Sequence, residues 1–195
     1  MKKAYPFKIL VVMFIAGVSI FLPTSSSADT YTLDPDHSAV VFRIKHLGIA
    51  TVFGRFHQPE GQFAYDPQSP ENSYIQLQVA AKNVDTGVEK RDNHLRSPDF
   101  FNVEKHPLIT FKSRSVKAKG QTHLEVVGDI TLLGNTRTVR IDVVQTGEGM
   151  DPWGKFRRGF ETTFSIMRKD FGMDFMSSAV GDKVVLTISV EGVRE

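Results

Sequence analysis

Most of the chain after residue 28 alternates between apolar and polar side chains, which is typical of β-strands with one buried face. In His37–His46, for example, Val40, Phe42 and Ile44 share one parity and the charged residues share the other. The predicted strands are His37–His46, Thr51–Asp66, Ser73–Ala81, Leu108–Lys119, Leu124–Leu132, Val139–Val143, Phe160–Ile166 and Lys183–Val193. The pattern therefore predicts an all-β fold.

The connections between these strands are mostly short and rich in turn residues, so we expect neighbouring strands to be antiparallel. A sandwich is one solution, but long strands in up-and-down order favour a closed barrel, which leaves no exposed edge. An eight-stranded barrel has room inside for side chains or for one ligand. Phe53 and Phe56 differ in parity, which predicts a bulge near Pro59 or Gly61.

The segment Asp85–Ser113 interrupts this rhythm. Thr86 and Glu89 have the spacing of a capping box at a helix start. The residue before Pro98 disfavours helical backbone, so the helix should end near Arg96. The sequence thus predicts one short helical crossover between strands three and four, long enough to cap an end of the barrel.

Two details of this crossover follow from local spacing. Asp92 and Arg96 lie four residues apart, which predicts an ion pair on an exposed helix face. Ser97 followed by Pro98 predicts a new N-cap and first residue, with one more turn through Phe101.

The first 28 residues have the order of a secretory signal peptide. Three lysines precede the uncharged apolar run Ile9–Leu22, and the small residues Ser26 and Ala28 predict cleavage after Ala28. The apolar run is shorter than the roughly 20 residues of a membrane span, although an uncleaved anchor is the alternative. We therefore expect export to the periplasm and one domain, residues 29–195.

Charge and cysteine content narrow the possible functions. Without the signal peptide the chain has 21 Lys and Arg against 22 Asp and Glu, so no basic surplus favours nucleic-acid binding. The absence of cysteine excludes thiol catalysis and cysteine metal ligands.

Polar candidates for chemistry are few. The six histidines form no HExxH or HxH motif, and we assign no catalytic residue, metal site or cofactor. His46 shares the parity of the inward-facing residues of its strand. Arg91, Asp92 and His94 lie on the predicted helix, where they either meet a polar head group at the barrel mouth or pair structurally. The fifteen phenylalanines fit a packed core and a lined cavity equally well.

The chain also resembles the YceI-like family of exported, lipocalin-like polyisoprenoid-binding proteins. The motifs that carry the resemblance are Tyr31-Thr-Leu-Asp34, His37-Ser38, Phe42 through His46-Leu47-Gly48, Gly54 with Phe56, Val84-Asp85-Thr86, Arg91-Asp92-x-His94-Leu95-Arg96-Ser97-x-Asp99-Phe100-Phe101, Pro107 with Thr110-Phe111, Gly128-Asp-Ile-Thr-Leu-x-Gly134, Asp151-Pro152-Trp153-Gly154, Arg158-Gly159-Phe160 and Lys169-Asp170-Phe171-Gly172. The resemblance implies an elongated eight-stranded antiparallel barrel whose apolar tunnel holds a long isoprenoid, such as a quinone tail or polyprenyl phosphate, or another long lipid. It implies no catalytic residue.

We therefore expect a periplasmic carrier or store for a long-chain lipid. From the alternation, the residues expected to line the cavity are Val40, Phe42, Ile44, Ile75, Leu77, Val79, Phe111, Phe160, Phe164, Ile166, Leu186 and Ile188. The head-group or lid candidates are His46, Val88, Arg91, Asp92, His94, Leu95, Phe100 and Phe101. Two alternatives remain: an enzyme that uses His46 or His94 on a lipid-linked substrate, and a packed, stress-linked structural barrel without ligand. A homodimer and a transient contact with a membrane or membrane protein are left open.

Overall fold

The computed structural model of the chain describes residues 1, 3 and 28–195. The expected signal peptide, residues 1–28, therefore lies almost entirely outside the described residues. The elements are β1 (Asp29–Leu33), β2 (Ala39–His46), β3 (Ala50–Phe56), β4 (Glu60–Tyr65), β5 (Tyr74–Ala80), β6 (Val84–Asp85), α1 (Glu89–Arg96), β7 (Leu108–Ala118), β8 (His123–Leu132), β9 (Asn135–Met150), β10 (Phe156–Met167) and β11 (Val180–Arg194). Short 3₁₀ turns cover Pro35–His37, Pro70–Asn72, Ala81–Asn83 and Arg168–Phe171. In this part of the chain, no helix is both long and apolar enough to cross a bilayer.

Eight strands close into one antiparallel ring in the order β1, β4, β5, β7, β8, β9, β10, β11 and back to β1. The closing pair joins Tyr31 of β1 with Arg194 of β11. The predicted eight-stranded antiparallel barrel is therefore confirmed. The remaining strands lengthen the barrel wall. Strand β2 follows β1 in the chain and pairs with β11, and β3 pairs with β2 and leads into β4. Strand β6 follows β5 in the chain and pairs with β3.

The segment predicted as one long strand, Thr51–Asp66, is divided between β3 and β4. The chain bends where Gln58 and Gly61 have positive φ angles of 54° and 155°. At Gly61 an added Cβ would lie 2.1 Å from the carbonyl oxygen of Gln76, so the close backbone approach requires glycine. The expected bulge near Pro59 or Gly61 falls at this bend.

The two ends of the barrel are built differently. We call the open end the one that carries the β2–β3 turn, the crossover 86–107, the β8–β9 turn and the loop 168–179. We call the closed end the one that carries the loops between β4 and β5, β7 and β8, and β9 and β10. The helical crossover thus caps one end, as the sequence predicted.

The barrel wall loosens toward the open end. The ladder between β9 and β10 stops at the pair Val143–Thr162, although both strands continue past it. Beyond that point the Asn135 side-chain amide donates to the Phe171 carbonyl oxygen at 2.9 Å, which bridges the two sides through the Arg168–Phe171 turn. Side chains and turns therefore replace part of the strand pairing here.

Helix α1 ends at Arg96 as predicted, but its start differs from the expected capping box. The N-cap position is Val88, which makes no side-chain cap hydrogen bond. The Thr86 amide and hydroxyl instead donate to the Asp92 carboxylate at 2.9 and 2.5 Å. Because its carboxylate reaches back to Thr86, Asp92 fastens the start of the helix to the preceding loop.

The predicted exposed ion pair between Asp92 and Arg96 is wrong. Asp92 is only 6% exposed. The Arg96 guanidinium donates to the carbonyl oxygens of Lys82 at 2.8 Å and Val84 at 2.9 Å. Arg96 therefore anchors α1 to the β5–β6 segment, whereas Asp92 bonds to Thr86 in the loop after β6. The extra turn expected after Ser97 is present as hydrogen-bonded turns and not as a second helix.

Candidate ligand cavity

The barrel encloses a cavity of about 670 Å³. This volume lies within the range of about 300–1,000 Å³ for sites that take small molecules and cofactors. His46, Lys90 and Met176 line the cavity and are exposed to solvent, so the cavity opens at the open end.

The cavity wall contains every residue that alternation assigned to it. The twelve predicted residues all line the cavity: Val40, Phe42, Ile44, Ile75, Leu77, Val79, Phe111, Phe160, Phe164, Ile166, Leu186 and Ile188. Phe164, Leu186 and Ile188 point into the barrel yet keep part of their surface accessible. In a packed core these side chains would be fully buried, so their accessible surface indicates that the barrel interior is a cavity and not a filled core. Contact of these residues with a ligand stays a prediction.

The predicted set was incomplete. Further apolar residues line the cavity: Val52, Phe56, Phe63, Ile109, Val116, Leu124, Val126, Ile130, Leu132, Ile141, Val143, Met173, Met176, Val180, Val184 and Val190. Most belong to strands whose alternation already marks the inward face, so the same signal could have found them. Met173 and Met176 come from the irregular loop before β11, where periodicity offers no signal.

Aromatic side chains fill the barrel at the closed end. The rings of Tyr31 and Phe63 stack with centroids 4.8 Å apart, and Phe160 meets Phe63 edge-on at 5.4 Å. The guanidinium of Arg158 lies 4.7 Å from the centre of the Tyr65 ring and pairs with Glu148 at 2.6 Å. Burial raises the pKa of both tyrosine hydroxyls. These contacts form the floor of the cavity.

Seven of the eight head-group or lid candidates line the mouth of the cavity. They are His46, Val88, Arg91, His94, Leu95, Phe100 and Phe101. Asp92 does not, because its carboxylate is turned toward Thr86. The Arg91 guanidinium also donates to Thr86, at 2.7 Å to the hydroxyl oxygen and 2.9 Å to the carbonyl oxygen. Arg91 therefore brings a positive charge to the mouth without a carboxylate taking up these donors.

His94 belongs to an aromatic cluster over the mouth. Its ring lies edge-on to Phe100 at 5.0 Å and to Phe175 at 5.5 Å. Its Nε2 is 2.9 Å from a carboxylate oxygen of Asp99. The cluster joins the crossover 86–107 to the loop 168–179 by side-chain packing, with no hydrogen bond between the two segments among the described residues.

A second arginine near the mouth escaped the sequence reasoning. Arg168 is only 2% exposed, and its guanidinium donates to the carbonyl oxygens of Gly181 and Met173 at 2.9 Å and of Val180 at 3.1 Å. Burial lowers the pKa of this side chain. Arg168 ties the loop before β11 to the barrel, and no sequence motif distinguishes it from a surface arginine.

Outside the barrel, Asp34, His37 and Glu191 place their ligand-type atoms within 4.8 Å of one another. The Arg157 guanidinium already donates to Asp34 and Glu191 at 2.6 Å and to Asp151 at 2.7 Å. Hydrogen bonding to Arg157 lowers the pKa of the Asp34 carboxyl to about 2. The arginine thus supplies the positive charge that these carboxylates require, and the cluster acts as an ion-pair network that ties β1, β10 and β11 together.

A closed antiparallel barrel of eight strands around an apolar cavity defines a class of small-ligand-binding barrels. The chain matches the YceI-like domain over residues 31–192, and it belongs to the YceI-like family. The resemblance seen in the sequence is therefore confirmed.

Similar proteins cover nearly the whole domain. A UPF0312 protein of Pseudomonas aeruginosa is 39% identical over 181 residues, which is 92% of this chain and 94% of that protein. The crystal structure of the YCEI protein of Campylobacter jejuni superimposes with a TM-score of 0.70 at 28% identity, covering 77% of this chain and 90% of that one. A polyisoprenoid binding domain from Saccharophagus degradans has the same fold, with a TM-score of 0.64 at 16% identity over 85% of this chain and 98% of that domain.

Proposed function

We propose that this protein is an exported, periplasmic carrier or store that holds the tail of a long-chain lipid in the barrel cavity. The observation that carries the proposal is the apolar cavity, where inward-facing residues such as Leu186 and Ile188 keep accessible surface. Burying an apolar chain yields about 0.8 kcal/mol per CH₂, so about ten carbons would supply some 8 kcal/mol before ordering costs.

An isoprenoid is the ligand class that we propose within this function. The solved domain from Saccharophagus degradans, which has the same fold, is described as polyisoprenoid binding. In this chain, the partly exposed aliphatic side chains would contact the tail, and His46, Arg91 and His94 would meet a polar head group at the mouth. The lipid would be cargo and not a cofactor.

We also infer that the protein does not alter its lipid chemically. Packing against Phe100 and Phe175 and pairing with Asp99 hold His94 as part of the cover over the mouth. If His94 were instead a general base, His94→Ala would abolish turnover of a prenyl phosphate or ester while the lipid stayed bound. We expect no turnover by the wild-type protein.

The test is organic extraction of the purified protein followed by mass spectrometry, then rebinding of polyprenyl and fatty ligands to the delipidated chain. Ile188→Phe would place a larger side chain in the cavity and should weaken binding at least about tenfold. Thr187→Phe is the matched control, because Thr187 precedes Ile188 on β11 and faces outward. A delipidated protein without affinity for any of these ligands would refute the proposal.

A further inference from the structure

Exposed apolar side chains gather at the turn between β2 and β3. Ile49 is 83% exposed, Phe53 59% and Leu47 55%. Leu47 and Ile49 lie at the tip, and Phe53 lies on the outer face of β3. A cluster of exposed apolar side chains is typical of a surface that binds a protein or a membrane.

The backbone conformation at the tip indicates that the Leu47 side chain does not stabilise the fold. Leu47 has a φ of +53°, which is uncommon for a residue other than glycine or asparagine. Leu133 in the β8–β9 turn has nearly the same φ, +52°, but it packs against the barrel core. Leu47 has the cost of this conformation without comparable burial.

The charge around this hairpin has one sign. Residues 39–56 contain Arg43, Lys45 and Arg55 and no carboxylate. Arg43 lies directly across from Phe53, and Lys45 across from Thr51. The ion pairs among the described residues involve neither Arg43 nor Lys45.

Carboxylates near the hairpin lie on other segments. Arg55 pairs across the sheet with Asp85, and Glu89, Asp174 and Asp182 lie on neighbouring parts of the open end. The cationic surface is therefore the hairpin itself and not the whole end of the barrel.

The closed end shows that exposure alone does not select the surface. Met150 is 63% exposed and Trp153 is 80% exposed. Both flank Asp151 and lie near Glu148, and Arg157 in the same region is already paired with carboxylates. With Lys155 two residues from Trp153, the charge there is mixed, whereas the hairpin carries only positive charge and would attract an anionic partner.

We propose that the β2–β3 hairpin docks the protein on a phospholipid bilayer that contains anionic lipids. Leu47, Ile49 and Phe53 enter the boundary between head groups and acyl chains, and Arg43 and Lys45 lie among the phosphates. Apolar side chains flanked by lysine and arginine are the combination that binds this interface. Two copies of the hairpin facing each other would bring like charges together, which disfavours a second copy as the occupant.

Docking in this way would place the cavity against the lipid. Lys45, His46 and Val52 of the hairpin also line the mouth of the cavity. A tail could then pass between bilayer and barrel without crossing water. This inference rests on the proposed lipid-carrier function.

The test is flotation with vesicles of phosphatidylcholine mixed with phosphatidylglycerol, compared with phosphatidylcholine alone. The chain used is residues 29–195, because all strands of the closed barrel lie within it. We expect binding to the mixed vesicles that weakens as salt is raised. Ile49→Ser with Phe53→Ser should lower partitioning at least about tenfold, and Arg43→Gln with Lys45→Gln about fivefold per charge on anionic vesicles only.

Met150→Ser is the matched control, an exposed apolar residue at the closed end whose loss should leave partitioning unchanged. As a second readout, Ile49→Trp in a Trp153→Phe background should show a blue-shifted emission with mixed vesicles, whereas native Trp153 should not. The absence of wild-type binding, an equal loss in Met150→Ser, or an unshifted Ile49→Trp emission would overturn the inference. A wild-type dimer that Ile49→Ser with Phe53→Ser converts to monomers would assign the surface to a second copy instead.

The two proposals can fail separately. If the hairpin variant still yields lipid on organic extraction, the cavity function stands independently of docking. If the wild-type protein carries lipid but does not bind vesicles, only the docking inference is wrong.

Discussion

At the closed end of the barrel, the rings of Tyr31, Phe63 and Phe160 fill the space between the walls. Toward the open end, the same barrel keeps a cavity of about 670 Å³. The inward positions are apolar in both regions, but at the closed end the rings meet one another across the barrel, whereas around the cavity aliphatic side chains and phenylalanines such as Phe111 and Phe164 line an open space. Side-chain size and placement therefore decide which part of the interior is core and which is available to a ligand.

Arginines are used differently at the two ends. At the closed end, Arg157 and Arg158 pair with carboxylates. At the open end, Arg96 and Arg168 donate to backbone carbonyl oxygens, which anchors irregular segments without neutralising the charge. One end is cross-linked by ion pairs, whereas the other keeps positive charge close to the mouth and is held by fewer strand contacts. Under the proposed function, stability and ligand exchange would thereby be separated along one barrel.

The largest contrast in stability is expected from Phe160→Ala. Phe160 is buried against Phe63 and Tyr65, so truncation should cost about 3–5 kcal/mol. Phe53→Ala, in the exposed hairpin of the open end, should change the free energy of unfolding by less than about 0.5 kcal/mol. Urea unfolding of both variants at pH 7 measures the difference. Equal costs would show that the closed end is not the stabilising half.

A smaller contrast is expected from acid titration of the ion-pair cluster. The hydrogen bond from Arg157 lowers the folded-state pKa of Asp34 to about 2, from 3.8. Its stabilisation is therefore complete above pH 3.8 and lost as the pH falls toward 2. Arg157→Gln should be less stable than wild type at pH 7, and the difference should shrink below pH 3.8.

The variant is needed because Asp85 and Asp129 also have lowered carboxyl pKa values and add to the same acid window. Arg137→Gln serves as the control, since the Arg137 guanidinium donates only to its neighbour's carbonyl oxygen among the described residues. Stability measured by urea unfolding between pH 2 and 7 gives the comparison. Arg157 also lowers the pKa of the Asp151 carboxyl, so a constant difference between Arg157→Gln and wild type over this range would contradict the assigned role of Arg157 beside Asp34 and Asp151.

Alternation predicted the barrel and its inward faces because strand periodicity depends only on which side of the sheet is wet. This alternation does not predict strands whose two faces are both exposed to solvent. Strand β9 was expected over Val139–Val143 but runs from Asn135 to Met150, and its added ends are mostly polar and exposed. Backbone pairing extends these ends with little burial, so no alternating hydrophobic pattern marks them.

Local spacing rules failed at α1 for a different reason. The capping box and the Asp92–Arg96 pair assume an isolated helix, whereas both side chains bond to residues outside it. The cavity itself lay beyond sequence reasoning, because a filled and an empty interior have the same apolar residues. Arg168 was missed since a buried arginine bonded to carbonyl oxygens leaves no pattern in the sequence.

The smallest expected effect concerns whether the crossover 86–107 is a lid or a fixed plug. If it is a lid, its amides should exchange faster in delipidated protein than in lipid-bound protein, while amides in β8 exchange equally in both. Arg96→Ala removes the bonds to the Lys82 and Val84 carbonyl oxygens, so it should speed exchange in α1 about tenfold. The cost to global stability should stay near 1 kcal/mol, because the barrel ring does not depend on these bonds. Arg137→Ala, in the exposed part of β9, should leave exchange in α1 unchanged. Crossover amides that exchange as slowly as those of β8, with or without lipid, would identify a plug, and lipid would then have to enter through the loosened wall between β9 and β10.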